Sequence, residues 1–184
     1  MIDLALGFVA GWAVLALLYG PWFSWDIEMP LSREEFYENI RARLSWAPPA
    51  GVYGIVWTVL YLLIAISVGL FINDAANLPN NTKLWATFIL ICINIFTNKT
   101  WDLFFFEMRN IGVAALDAVL IFATAVSILV LFWVQGVNWF AIVSMFVYCL
   151  WTGFAMILTL AIARLGPSIN SPILGSVNFD VNKL

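Results

Sequence analysis

Apolar residues gather in five long runs, at about 4–22, 52–72, 84–106, 111–133 and 139–163, and the short stretches between them hold nearly all of the charged and turn-forming residues. Each run approaches the roughly 20 residues that an α-helix needs to cross a hydrocarbon core. None alternates apolar and polar positions, which excludes membrane β-strands. The pattern predicts an all-α integral membrane protein, a five-transmembrane-helix bundle forming a single domain over 1–184. The first run has Asp3 ahead of it, no basic segment and no small-residue cleavage site, so it reads as a retained span rather than a signal peptide.

The loop between the first two runs is the only long one. Ser32-Arg33-Glu34-Glu35 has the form of a capping box, which predicts a short helix over about 33–44 that stops before Pro48-Pro49. Phe36, Tyr37, Ile40 and Leu44 recur on one face of it, so that face rests on the mouth of the bundle or on the lipid surface, either as a passive interfacial helix or as a lid. The other connections are short, which makes successive spans antiparallel neighbours. The tail, 166–184, with Pro167, Pro172 and several Asn and Ser residues, reads as irregular. There is no internal repeat, so the inverted-repeat plan of many secondary transporters has no support.

Composition changes this picture in three ways. The chain is 64% hydrophobic, with a mean hydropathy of +0.97 and only 10% charged residues, more apolar surface than a soluble core of this size could hide. Its net charge of −3 argues against a nucleic-acid partner. It contains no histidine, which removes the usual proton shuttle, haem ligand and commonest metal ligand; no metal site and no resident cofactor are expected. Cys92 and Cys149 lie inside apolar runs without metal-binding spacing and read as free thiols. With five spans the termini lie on opposite sides. Arg33, Arg41, Arg43, Arg109, Arg164 and Lys183 fall on one side against Lys83 on the other, which predicts an outside N-terminus and a cytoplasmic C-terminus.

Of the ten tryptophans, Trp22, Trp25, Trp46, Trp85, Trp133 and Trp139 lie near the ends of runs, where an interfacial belt explains them. Trp151 lies about twelve residues into its run, roughly 18 Å deep at the helical rise, which a belt does not explain. Trp12 sits beside the Gly7-x-x-x-Gly11 spacing and reads as packing at a close helix contact. Tyr53, Trp57 and Tyr61 recur at four-residue steps and form a wall of rings, in the core or along a pocket. Asn94, Asn98, Trp101, Asp102 and Phe105 form one polar and aromatic stripe that should face inward, either joining helices or lining a wet cavity. Lys99 and Asp117 come to similar depth in a hairpin turning near 108–110, so a cross-helix ion pair is open to them, with Asp102 as the competing partner and snorkelling as the alternative for Lys99.

These residues resemble the TspO/MBR family, the translocator proteins (peripheral benzodiazepine receptors) and tryptophan-rich sensory proteins. Three motifs carry the resemblance. The first is Trp46, Pro48, Pro49, Gly54, Val56, Trp57, Leu60 and Tyr61. The second is Asn98, Trp101, Leu103, Phe104 and Phe105, followed by Arg109 and Ala115-Leu116-Asp117. The third is Tyr148, Trp151, Phe154 and Ala155, followed by Arg164-Leu165. The resemblance implies a five-helix bundle, commonly a homodimer in membrane lipid, with a ligand pocket beneath the first loop and a cytosol-facing loop and C-terminus. It implies a pocket lined by Trp57, Asn98, Trp101, Phe105, Trp151 and Ala155, with Pro48 and Tyr53 near the mouth; Tyr61 continues the aromatic wall.

The ligands so implied are flat and hydrophobic: porphyrins of the protoporphyrin IX type, sterols or aromatic drugs. Without histidine, a metal-free porphyrin is favoured over a ligated haem. The family's sterol-recognition segment has a Tyr where this chain has Leu160, which counts against a sterol. Val147 replaces a common Pro, Ala50 and Gly51 replace the usual Gly and Trp after the double proline, and Asp102 replaces a small residue, making the pocket more polar. The function implied is a receptor-like porphyrin binder serving sensing, removal or light- and oxygen-dependent breakdown. In the last case Trp57 and Trp151 are the candidate redox-active, catalytic rings. Transport or trafficking of porphyrins, sterols or other hydrophobic ligands is the alternative, and enzymatic activity stays open.

Overall fold

A computed structural model describes residues 4–19, 31–75, 78, 82–166 and 169. Six α-helices follow one another: α1 (Leu4–Tyr19), α2 (Arg33–Arg43), α3 (Ala50–Ala75), α4 (Thr82–Asp102), α5 (Ile111–Gln135) and α6 (Trp139–Arg164), with a π-helical turn, Leu103–Glu107, continuing α4. There is no strand among the described residues. Four helices are long and apolar enough to cross a bilayer: Ala50–Ala75, Thr82–Glu107, Ile111–Gln135 and Trp139–Arg164. The chain is thus a multi-pass, all-helical membrane protein. The first apolar run reaches only 16 residues as α1, about 24 Å of helix, and residues 20–22 of the predicted span lie outside the described ones. So do Trp22, Trp25 and all of the predicted irregular tail except Gly166 and Ile169.

The helices form a ring. α3 packs on α1 and α6, α5 packs on α4 and α6, and α1 reaches α4 to close the circle. Two different devices hold adjacent helices. Along α1 and α3 the contact is backbone on backbone. A Cβ on Gly7 would come within 2.5 Å of the Gly69 carbonyl oxygen, and one on Gly69 within 2.6 Å of that of Gly7. Lipid tails are as apolar as any side chain, so close van der Waals fit rather than hydrophobic burial holds such a seam. Trp12, expected to pack beside these glycines, instead projects outward and is 59% exposed. The Gly-x-x-x-Gly face and the Trp face are different sides of α1.

Around the rest of the ring polar side chains do the joining. The Ser67 hydroxyl donates to the Ala141 carbonyl across α3 and α6, 3.3 Å away, and Gln135 of α5 donates to the Thr87 hydroxyl of α4 at 2.9 Å. Asp74 at the end of α3 accepts from the backbone N–H of Asn138, whose side chain caps α6. Gly136, in the left-handed region at φ 68, ends α5 and lets the chain reverse in three residues. Trp85, Trp133 and Trp139 are exposed at helix ends, where an aromatic belt places them.

The loop helix forms as its sequence dictates. Ser32 accepts the Glu35 N–H at 3.2 Å and Glu35 returns the bond to the Ser32 N–H at 2.8 Å, the reciprocal capping box. The Ser32 backbone N–H, then its hydroxyl, holds the Glu35 carboxyl below the usual carboxylate range. Its contribution to the cap is therefore complete above the ordinary Glu pKa and is lost only as pH falls through the lowered one. Phe36, Tyr37 and Ile40 are buried against the bundle in a cluster with Phe105, Ile111, Leu158 and Ile162. Asn39 donates to the carbonyl of Ile169 at 2.8 Å, fastening that point of the tail beneath α2.

Gly7→Val should drive α1 away from α3 and destabilise the fold by about 1–3 kcal/mol, as overpacking does. Gly51→Ala on α3, where a Cβ meets nothing within 4 Å, should change stability by roughly 1 kcal/mol or less. Thermal unfolding of the two variants in the same detergent, followed by circular dichroism, compares them.

Candidate functional site

Beneath α2 the ring does not close tightly, and a cavity of about 570 Å³ lies among α3, α4, α5 and α6. Its existence follows from how α4 and α6 meet. An Asn98 amide N–H donates to the Tyr148 hydroxyl, which donates to the Asn94 carbonyl oxygen at 2.9 Å. The Asn94 amide then donates to the Ile121 carbonyl at 3.0 Å and to the Thr124 hydroxyl at 2.8 Å. One buried chain of hydrogen bonds thus ties α4, α5 and α6, with Tyr148 wholly enclosed. Side chains as long as Tyr and Asn hold helices apart as well as together, and the space beside them is the cavity.

α3 supplies Tyr53, Trp57 and Tyr61 to one wall, with the last two rings 5.4 Å apart. α4 supplies Asn98 and Trp101, and the π turn supplies both Phe105 and Phe106. The wider π turn, closed by the Met108 N–H on the Leu103 carbonyl at 2.8 Å, lets both face the cavity. Trp101 stacks on Phe105 at 4.7 Å and 19°. α6 contributes Ala155 and the small polar residues Thr152 and Thr159. Both threonine hydroxyls donate back to their own helix, to the carbonyls of Tyr148 and Ala155, so they present mainly methyl groups. The Trp101 indole N–H is buried without a hydrogen-bond partner among the described residues.

Seven of the nine residues expected at a ligand site therefore line this cavity: Tyr53, Trp57, Tyr61, Asn98, Trp101, Phe105 and Ala155. Pro48 and Trp151 stand behind the wall. The Pro48 carbonyl accepts the Tyr37 hydroxyl at 2.8 Å, and Trp151 meets Tyr53 edge-on at 5.7 Å and Phe154 at 5.3 Å. The sequence reading missed Tyr37, Thr152, Met156 and Thr159. Tyr37 was visible on the apolar face of the loop helix, and Thr152 and Thr159 lie four residues beyond Tyr148 and Ala155, one turn along the same face.

The roof is pinned to the bundle by two arginines. Arg109, buried at φ 48, donates to the Leu31 carbonyl and lies 4.7 Å from the centre of the Phe36 ring. A non-glycine residue there carries strain of order 1 kcal/mol or more, which these contacts offset. Burial lowers the Arg109 guanidinium from its usual pKa. Arg33, the first residue of α2, binds Glu107, approaches Asp102 Oδ2 at 3.7 Å and lies 5.4 Å from the centre of Phe106. Asp102, placed by the sequence on an inward stripe, is thus at the mouth with its side chain 53% exposed. Asp117 takes a hydrogen bond from the Thr100 hydroxyl at 2.9 Å, a neutral partner that depth alone did not suggest.

The chain is similar to known proteins over most of its length. The model of the TspO/MBR family matches residues 8–165. The tryptophan-rich protein TspO of Bacillus cereus is 28% identical over 146 residues, 79% of this chain and 90% of the relative. The uncharacterized membrane protein YtaB of Bacillus subtilis is 26% identical over 84% of this chain and 94% of its own length. Protein CrtK of Rhodobacter capsulatus is 28% identical over 72% and 79%.

Tyr148→Phe removes the hydroxyl that links Asn98 to Asn94 and takes this partner from the buried Asn98 N–H and the buried Asn94 carbonyl oxygen. Stability should fall by about 1–3 kcal/mol, read as a lower midpoint of thermal unfolding in detergent, while Tyr148→Leu should fall further through the lost ring.

Proposed function

The chain belongs to the TspO/MBR family, and from that premise we propose that it binds flat, largely apolar ligands of the porphyrin type in the aromatic cavity, for their sensing, removal or light- and oxygen-dependent breakdown. The observation that carries this reading is the cavity itself: about 570 Å³ walled by Tyr53, Trp57, Tyr61, Trp101, Phe105 and Phe106. Rings stack on rings, and a mostly apolar lining with few polar groups is the ordinary form of a small-molecule site. The volume suits one large planar molecule.

Trp57, on the wall, is the ring that would touch such a ligand. Trp151 would act through Tyr53, against which it packs. In breakdown, the illuminated pigment and dioxygen are the reactants and the indoles are the oxidisable groups beside them. The run 4–22 completes a five-span bundle in this reading, with the N-terminus outside and the basic end, where Arg33, Arg109 and Arg164 fall, in the cytoplasm. A homodimer is proposed as well, and the apolar outer stripe of Trp85, Ile89, Ile93 and Phe96 on α4 offers a face for a second copy.

Titrating the purified protein with protoporphyrin IX in the dark should quench tryptophan fluorescence saturably, and Trp57→Ala should weaken binding about tenfold, in line with a lost stacking contact. Illumination in air should then convert the bound pigment, and replacing Trp57 and Trp151 together by Phe should slow that conversion. Binding without conversion favours carriage of the ligand; absence of saturable binding refutes the porphyrin reading.

A further inference from the structure

The aromatic wall accounts for the body of a ligand, but four charged side chains also line the cavity: Arg33 and Glu34 from α2, Lys99 and Asp102 from α4. A chain with so few charges places four of them around one cavity. A purely apolar ligand has no use for such a rim, and charged groups next to hydrocarbon are unfavourable unless they are partnered or reach water. Half-exposed Arg33 and Asp102 mark the watery edge of the cavity.

We infer that Arg33 and Lys99 anchor the acidic substituents of the ligand, so that the cavity selects a flat apolar body bearing carboxylates over the same body without charge. The inference rests on the porphyrin reading above and deepens it. Arg33 is held ready for this task. Its guanidinium is fixed by Glu107 of the π turn and by the Phe106 ring, while its 3.7 Å approach to Asp102 is longer than a charge-assisted hydrogen bond. A guanidinium has five N–H donors. A ligand carboxylate can therefore take the place beside Arg33 that Asp102 holds loosely, without disturbing Glu107. Lys99, three residues before Asp102 on the same helix, already has a partner, but its compact ammonium on a flexible stem can exchange that partner for a second carboxylate. Asp102 is then the internal competitor, and its removal should strengthen binding of an acid rather than weaken it. A purely structural role for the Arg33 and Asp102 pair predicts the opposite sign.

The test uses protoporphyrin IX, with its two propionic acid chains, and its dimethyl ester, which has the same ring and no carboxylate. Both are titrated against the full chain in nanodiscs of neutral lipid. The parent protein should prefer the acid. Arg33→Gln and Lys99→Gln should each weaken the acid about fivefold more than they weaken the ester, the effect of a partly exposed charge pair. Asp102→Asn should tighten the acid, and Arg33→Lys, which keeps the charge, should retain most of the preference. Equal affinity for acid and ester, or glutamine variants that move both ligands alike, overturns the anchoring while the cavity reading stands. If neither compound binds the parent protein, both fall.

Discussion

In hydrocarbon an amide or hydroxyl without a partner is costly, and the bundle turns that constraint into its architecture. Asn94, Asn98 and Tyr148 satisfy one another and reach on to the backbone and Thr124 of α5. No helix of the three can shift along its axis without breaking the chain. Net energies for such bonds within membranes are modest, around 0.6 kcal/mol for an average pair. Their directionality matters more than their strength, because apolar packing against lipid-like side chains gives little reason to prefer one register over another. The same bonds use long side chains, so the helices they join leave room between them. Where the chain needs no room it uses glycine, and α1 meets α3 through bare backbone at Gly7 and Gly69. Hydrogen-bonded spacers on one side of the ring and a glycine seam on the other decide where the cavity lies.

The roof depends on a second constraint, which is that an amphipathic helix of 11 residues is not stable alone. α2 has its capping box at one end, but its persistence comes from Phe36, Tyr37 and Ile40 packing on the π turn and α6. The π turn matters twice here. It presents Phe105 to Phe36, 5.8 Å apart and edge-on, and it carries Glu107 to Arg33. Immediately after it, the left-handed Arg109 points its guanidinium back to the loop. A regular helix through 103–107 would rotate these groups away from α2, so the widened turn and the seated roof belong together.

Much of this was legible in the chain. Four of the five long apolar runs appear as helices long enough to span a bilayer, and with the π turn counted into α4 their bounds differ by no more than three residues from the predicted ones. The capping box predicted the start of α2, and the predicted end at Leu44 lies one residue past the observed Arg43. The aromatic wall on α3 was visible from four-residue spacing alone. What stayed hidden has a common cause. Periodicity assigns a residue to a face of its own helix and says nothing of its depth relative to another element. Trp151 was deep enough for a pocket, yet Tyr53 stands in front of it. Asp102 had the phase of an inward residue, but it comes at the end of α4, where the stripe emerges under Arg33. A π turn has no signal in periodicity, since one residue more in a turn only resembles a phase slip. Asp117 takes the hydroxyl of Thr100, the residue next to Lys99 on α4, which equal depth does not single out.

The distribution of polar groups around the cavity is what gives it a direction. Deep in the bundle the polar atoms are already engaged: Asn98 with Tyr148, Thr152 and Thr159 with their own backbone. They hold the walls and leave the floor apolar in effect, with the Trp101 N–H and the Tyr53 hydroxyl as the buried lining donors lacking a partner among the described residues. At the mouth the reverse holds, with Arg33, Lys99, Glu34 and Asp102 where α2 meets α4. A molecule that is apolar at one end and ionic at the other can satisfy both zones in a single orientation. A molecule that is apolar throughout satisfies only the floor, and one charged throughout only the rim. Depth is therefore a chemical coordinate in this cavity. Recognition then rests on shape, stacking and fixed charge.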